Sequence, residues 1–542
     1  MTRLLHRLKT SLFCCMLPLL AGSAYADQKG EIYTSNNAPY PSLTAFQLKG
    51  LQPDLWPNQD EITGNNTKRV VVNLAWWEWE PERLVVAGNQ SCPAGYEKYD
   101  GHCFKINAVR DDDLRGYSDR GVAVTALVYG APASWAISPS CKAPADKRNF
   151  CAPVNPDDFA RFAGMVARRY NGLNGHGRAV DFVIHNEVNA QEWFDTACSP
   201  DCSGGAANLW VQTYASNYNK AYDIIKREQS AAKVLIPLTH DFSKSLDNFY
   251  AGQGPIVLST QSFMEKFVPL IGGRQFRLAY HSYPKDLFSP TFGADDLPYV
   301  TFGNIGVLAG WLRKTYPDKP YAWEIQLTEN GVNSSQTQEA QSKGVCDSFR
   351  NVLGTPGIES YIYHRLRDQK DEGGLATGLR DNAGNPRLAW ATWALANRND
   401  LNPPQLSCGF ENLPYVKLTR SLVPARGHWA STRIAPSGSL GPTISEASWK
   451  ILRDAAPNTR MIYECQVGAN GQSHNLLSPD VNCEGLQTLG PVGYFYTTPN
   501  AAPGLVPLYR CRVGQGTDHF ISPAANCEGT VTESLLGYVK SM

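Results

Sequence analysis

Between about residues 60 and 400, short apolar runs alternate with helical stretches, and nothing else in the chain constrains its fold as strongly. Residues 69–77 (RVVVNLAWW) and 121–130 (GVAVTALVYG) are β-rich runs. Residues 157–170 (DDFARFAGMVARRY) carry an amphipathic helical period, with Asn155-Pro156 supplying the start signal. A strand is expected over 179–186 and a helix over about 209–228. Further strands are expected over 233–239, 276–281, 321–327 and 358–364. Strand and helix taking turns is the pattern of a parallel sheet whose faces are covered by helices. If the strand ending at Glu187 is the fourth, Glu329 falls at the end of the seventh. Only two clear strands precede the fourth, and the missing first one is expected within residues 42–52. An open doubly wound sheet alternates in the same way, but no glycine-rich dinucleotide loop follows any of these strands. The α/β reading preferred here is therefore a (β/α)8 TIM barrel.

After about residue 400 the helical period fades and a repeat of roughly 45 residues takes over. Tyr463-Glu464-Cys465-Gln466-Val467-Gly468 matches Tyr509-Arg510-Cys511-Arg512-Val513-Gly514, and Ser478-Pro-x-x-Asn-Cys-Glu-Gly matches the same pattern from Ser522. A fainter first copy carries Tyr415, His428 and Trp449. His428, His474 and His519 mark the step, and their regularity points to equivalent structural positions. Three β-rich units imply an all-β, β-trefoil-like, three-repeat domain, with a short propeller-like array as the other option. The expected organisation is a signal peptide over 1–26, a barrel domain over 27–400 and a repeat domain over 401–542, the last a candidate for carbohydrate binding.

The signal peptide is read from Arg3, Arg7 and Lys9, an apolar run over residues 12–20, and the small-x-small site Ala24-Tyr25-Ala26. It implies a secreted or periplasmic protein and leaves twelve of the fourteen cysteines in an oxidising compartment. Proximity pairs Cys92 with Cys103, Cys141 with Cys151, Cys198 with Cys202, Cys465 with Cys483 and Cys511 with Cys527. Cys346 and Cys408 are left for each other. With 50 basic and 50 acidic side chains, the chain lacks the basic excess a nucleic-acid partner usually needs. No later run of about 18 apolar residues suits a membrane span. A monomer is expected.

Two glutamates carry the chemistry. Glu187 stands in His185-Asn186-Glu187-Val188-Asn189 after a buried run, and Glu329 stands in Leu327-Thr328-Glu329-Asn330-Gly331. Each sits where apolar alternation stops and a polar loop begins, the place where barrel enzymes gather catalytic groups. These residues resemble clan A of the retaining glycoside hydrolases: Asn186-Glu187 resembles the acid/base strand, and Thr328-Glu329-Asn330-Gly331 resembles the nucleophile motif of family-1 members. The resemblance covers about residues 60–400 in order and spacing. It implies hydrolysis of a polysaccharide or oligosaccharide through a covalent glycosyl-enzyme, without a metal or other cofactor. Glu329 would be the nucleophile, Glu187 the acid/base, and Asn186 a partner of the sugar 2-hydroxyl.

Other positions are expected at the substrate. Tyr283 would orient the nucleophile with His281 beside it, and Trp135 and Trp77 would offer stacking walls. At the eighth strand the chain reads Tyr361-Ile-Tyr363-His364-Arg365-Leu-Arg367-Asp368, where many clan members carry tryptophan. Tyr363, His364 and Arg365 are expected to face the cleft, with the arginines either binding an anionic sugar or forming structural ion pairs. Among rivals, His185-x-Glu187 with Cys198 and Cys202 is similar to a zinc deaminase pattern, but the cysteine spacing is one residue too long. The alternative that stays open is an inactive barrel serving as scaffold for a glycan-binding or surface-adhesion protein.

Overall fold

The β-branched runs form the wall of a closed barrel in the computed structural model, which describes residues 23–26, 32–198, 201–247, 255–370, 372–397, 408, 413–468 and 473–542. Its eight parallel strands are β1 (Lys49–Leu51), β2 (Arg69–Ala75), β3 (Ala123–Tyr129), β4 (Ala179–Ile184), β5 (Lys233–Leu238), β6 (Arg277–Tyr280), β7 (Ile325–Asn330) and β8 (Ile358–Tyr363), and β8 closes on β1. The first strand therefore lies within residues 42–52, and Glu329 is on the seventh. Residues 321–323, expected at the start of β7, lie in a short 3-10 turn (Pro320–Trp323) instead. Most of the expected signal peptide and most of the segment around residue 400 lie outside the described residues. Ser23–Ala26, at the expected cleavage site, pairs antiparallel with Ile32–Ser35.

Strand alternation sorts the side chains. Val71, Leu127, Val183, Leu235, Ala279 and Ile362, each from a different strand, form an apolar cluster separate from the outer core. Towards the strands' N-terminal ends the interior turns polar: Gln326 donates to Asp181 at 3.0 Å, the Tyr40 hydroxyl reaches the same carboxylate at 3.0 Å, and Arg69 lies 3.6 Å from it. The other end, above the apolar layer, is where the strand-to-helix loops carry the glutamates.

The outer helices show ordinary sequence logic. α1 (Pro156–Arg169) starts where the Asn155 side chain accepts from the Asp157 amide, and proline stands in its first turn. Asp157 and Asp158 lie at its positive end and Arg168 and Arg169 at its negative end. α2 (Gly204–Glu228) packs along it. α3 (Gly306–Thr315) packs on the C-terminal β region, and α4 (Gln338–Leu353) packs against β8.

The C-terminal region is antiparallel and β-rich. Its strands are β9 (Tyr415–Val423), β10 (Gly427–Ser431), β11 (Ile444–Leu452), β12 (Thr459–Val467), β13 (His474–Ser478), β14 (Gln487–Tyr496), β15 (Leu505–Arg512), β16 (His519–Ser522) and β17 (Val531–Ser541). β9 pairs with β10 and β11, β12 with β13 and β14, and β15 with β16 and β17. The third strands also meet one another, through Leu452 with Tyr494, Tyr496 with Tyr538, and Trp449 with Ser541.

This region is seated on the barrel. Val423, Trp429 and Leu489 belong to the same hydrophobic core as the barrel helices. Gly306 and Gly490 let the two backbones touch: a Cβ on Gly490, whose φ is +123°, would lie 2.1 Å from the Gly306 carbonyl oxygen. The buried Arg453 donates to the carbonyls of Leu353 at 3.0 Å and Ile358 at 2.7 Å. All six expected disulfides are formed, and Cys346–Cys408 ties α4 to the following segment.

Candidate active site

Glu187 stands three residues beyond β4 in a turn held from behind. The His185 ring is stacked on Phe159 at 3.9 Å between centroids, and burial depresses its pKa to about 3, so it is neutral. The Tyr214 hydroxyl donates to the Ile184 carbonyl, and the Trp210 indole to that of Val188 at 2.9 Å. Between these anchors His185 has φ +61° and Glu187 φ +34°. Left-handed backbone at two non-glycine residues is strain the surroundings must hold, and such strain gathers at functional sites. Glu329 is fixed differently, as the penultimate residue of β7. Its neighbour Asn330 accepts from the amide and hydroxyl of Ser282 at 2.6 and 2.8 Å, tying β7 to the chain after β6. Gly331 is needed because a Cβ there would lie 2.4 Å from the His364 carbonyl oxygen.

That tie brings His281 and Tyr283 between the glutamates. His281 Nδ1 is 2.8 Å from Glu187 Oε1, and the Tyr283 hydroxyl donates to Glu329 Oε1 at 3.2 Å. Side-chain atoms of Glu187, His281 and Glu329 all lie within 4.8 Å of one another. The carboxylates sit in unlike surroundings. Burial raises the Glu187 pKa, and the hydrogen bond and charge of His281 offset this only in part. Burial pushes Glu329 the same way, but His281, His364, the Tyr283 hydrogen bond and Arg365 outweigh it and hold it below the ordinary carboxylate value. One carboxyl thus keeps its proton more readily than the other. The same three groups could bracket a cation, although His281 Nδ1 is committed to Glu187. Cys141, Cys151 and Asp195 are also close together, but the two cysteines are consumed by their disulfide.

Several expected contacts lie here and others do not. Asn186 is buried beside Glu187, and its Oδ1 has no partner among the described residues. His364 lies near Glu329, edge-on to Tyr283 at 6.3 Å, with Nδ1 2.7 Å from Gln52 Oε1; burial lowers its pKa to about 4. Trp77 is half-exposed and packs edge-on against Tyr129 and Phe150, its ring admitted by Gly130, while Trp76 and Trp79 are core. Trp135, expected as a stacking wall, is half-buried: its indole donates to the Glu80 carbonyl, its ring meets Trp76 edge-on, and the Arg83 guanidinium lies over it. The expected cleft contact of Tyr363 is not met. It is fully buried, and its hydroxyl donates to the Thr377 carbonyl at 2.8 Å, on the outer side of the wall. Arg365 is taken up as a structural ion pair by Asp54 and Glu372, so its fork does not await an anionic sugar. Residues that sequence reasoning missed include Gln52, Asn73, Tyr129 and His240. Asn73 gave a signal, a lone amide interrupting the apolar run of β2.

Residues 42–402 match the family of unknown function DUF5722. The chain belongs to that family. No curated protein matches it. Among solved structures, an exo-beta-1,4-mannosidase from Opitutaceae bacterium strain TAV5 is 16% identical over 68% of this chain, with a TM-score of 0.36. The match spans 60% of the mannosidase's own length. A GH128 endo-beta-1,3-glucanase from Sorangium cellulosum is 14% identical, covering 64% of this chain and 97% of its own, at TM-score 0.35. A family 1 b-glucosidase from Thermotoga maritima is 11% identical, covering 65% and 94%, at TM-score 0.38. Among the described residues no helix is long and apolar enough to cross a membrane.

Proposed function

We propose that this DUF5722 protein is a secreted retaining glycoside hydrolase of clan A type, acting on a polysaccharide or oligosaccharide. The observation that carries the reading is the pair Glu187 and Glu329, at the ends of the fourth and seventh strands. They share one cluster with His281, and their pKa values are pushed in opposite directions. Carboxyls with separated pKa values take acid and nucleophile roles. Closeness within 4.8 Å favours retention, which needs about 5–5.5 Å between the groups, over inversion, which needs about 6.5–9.5 Å for a water. In the first step ionised Glu329, oriented by Tyr283, bonds to the anomeric carbon while the glycosidic C–O bond breaks. Glu187 gives its proton to the departing oxygen. In the second step a water attacks that carbon, Glu187 takes the water's proton, and the bond to Glu329 breaks. The unpartnered Asn186 amide oxygen and the neutral His364 are suited to sugar hydroxyls.

The organisation proposed with it is a signal peptide over 1–26, a catalytic barrel over 27–400 and a three-repeat, trefoil-like region over 401–542. Six disulfides accord with an oxidising compartment. Ion pairs between successive units support three-fold closure: Arg420 of β9 bonds Glu528, Arg510 of β15 bonds Glu484, and Arg433 after β10 bonds Glu464 of β12. These links join unit one to three, three to two, and one to two, so every pair of units is bridged. The test is a screen of polysaccharides and aryl glycosides with product analysis. Release of a sugar with its anomeric configuration retained is expected. Failure of every substrate, or inverted products, would overturn the reading.

A further inference from the structure

The two carboxylates have different flanks. Glu329 is bordered by His364 and Arg365, which follow β8. Glu187 is bordered by His281 and, across β5, by Asp241, whose carboxylate feels the Glu187 charge. Next to Asp241 stands His240, two residues past the end of β5, which the steps above leave unused. Its imidazole is half-buried and has no hydrogen-bond partner among the described residues. Its ring meets the half-buried Tyr299 ring edge-on, at 5.4 Å and 63°.

This pairing is built by the backbone. The chain after β6 folds back beside β5: Val300 N donates to the His240 carbonyl at 3.0 Å, Phe242 N donates to the Pro298 carbonyl, and Asp241 bridges to Tyr299. Asp241 is held by the Thr239 hydroxyl at 2.9 Å, and its second oxygen is buried without a partner. A half-open imidazole beside a fixed tyrosine, at the C-terminal end of a barrel strand, is where such folds place substrate contacts.

We infer that His240 and Tyr299 form a leaving-group subsite that binds a hydroxyl and the ring face of the neutral sugar displaced at Glu187. The inference rests on the glycosidase reading. The proton goes from Glu187 to the departing oxygen, so the departing sugar lies on the Glu187 flank, and β5 lies on that flank. Burial lowers the His240 pKa, with Asp241 opposing and His281 adding, so the ring offers one N–H and one lone pair. That set suits a neutral polyol, and the tyrosine face adds apolar contact for a pyranose ring.

The test compares two substrates that share one glycone: an oligosaccharide that the wild type cleaves and its para-nitrophenyl glycoside. His240→Ala is expected to lower kcat/KM on the oligosaccharide about tenfold or more, the scale of one lost hydrogen bond in a buried site. On the aryl glycoside, which has no sugar leaving group, the change should stay within about twofold. His240→Gln, which keeps a donor and an acceptor, should recover part of the loss. Tyr299→Ala should show the same contrast between substrates. Equal losses on both substrates, or no loss on either, would overturn the subsite. If the wild type cleaves no glycoside at all, it is the glycosidase reading that fails, and the subsite falls with it.

Discussion

The barrel mouth and the C-terminal β region are both rich in charge, and they handle it in opposite ways. In the β region, carboxylates and guanidinium groups are matched across neighbouring strands. Arg420 is shared by Glu446 and Glu528, Arg510 by Glu484 and Glu533, and the buried Arg433 pairs with the buried Glu464 at 2.5 Å. At the mouth, the side-chain oxygens Oδ1 of Asn73, Asn186 and Asp241 and Oε2 of Glu372 are buried without partners, whereas among the described residues of the β region no side-chain oxygen is left so. A buried polar oxygen without a partner costs stability, and those at the mouth lie where a substrate can supply the partner. The β region uses its charges for architecture, whereas at the mouth, among the described residues, neither Glu187 nor Glu329 is paired with a lysine or arginine.

The sharpest way to break this contrast is Glu329→Ala. Loss of turnover by about four orders of magnitude is expected, the scale of removing one member of a catalytic unit, with azide restoring part of the rate and circular dichroism unchanged. Glu187→Ala comes next. About 10²- to 10⁴-fold should be lost on natural glycans, with much less lost on activated aryl glycosides that need little protonation. On the β-region side, Glu464→Ala strips a buried guanidinium of its partner and should cost about 3–5 kcal/mol of stability in denaturant titration. The kcat of the remaining folded protein should not change. A variant that keeps its stability but loses activity would blur the distinction between the regions.

The smallest effect tests the pKa argument. Tyr283→Phe removes a hydrogen bond that favours ionised Glu329. The Glu329 pKa should therefore rise, and because the first step needs that group ionised, the acid limb of the pH–rate profile should move to higher pH. The alkaline limb, set by loss of the Glu187 proton, should stay in place. A loss of about tenfold in kcat is expected, with secondary structure intact.

Much of this was legible in the chain. Strand count and spacing put the two glutamates on the fourth and seventh strands, because a barrel repeats its strand–helix unit regularly enough to be counted. The cysteine pairs followed from proximity. What failed was parity in β8. The expected inward turn of Tyr363 is not met: Ile362 lies in the lumen layer and Tyr363 beneath the helices. A strand buried on both faces is apolar on both, so its sequence does not say which face is which. Gln52 was missed because β1 is three residues long and carries no period. His240 was missed because its setting is made by the chain returning from β6, about sixty residues later.

The central claim is that Glu329 becomes covalently bonded to sugar. It is tested most directly by incubating the enzyme with a 2-deoxy-2-fluoro glycoside of the glycone that it cleaves, followed by peptide mass mapping. A one-to-one adduct on Glu329, with activity lost as it forms, is the predicted result. An enzyme that cleaves the parent glycoside but yields no adduct, or carries it on another residue, would contradict the assignment.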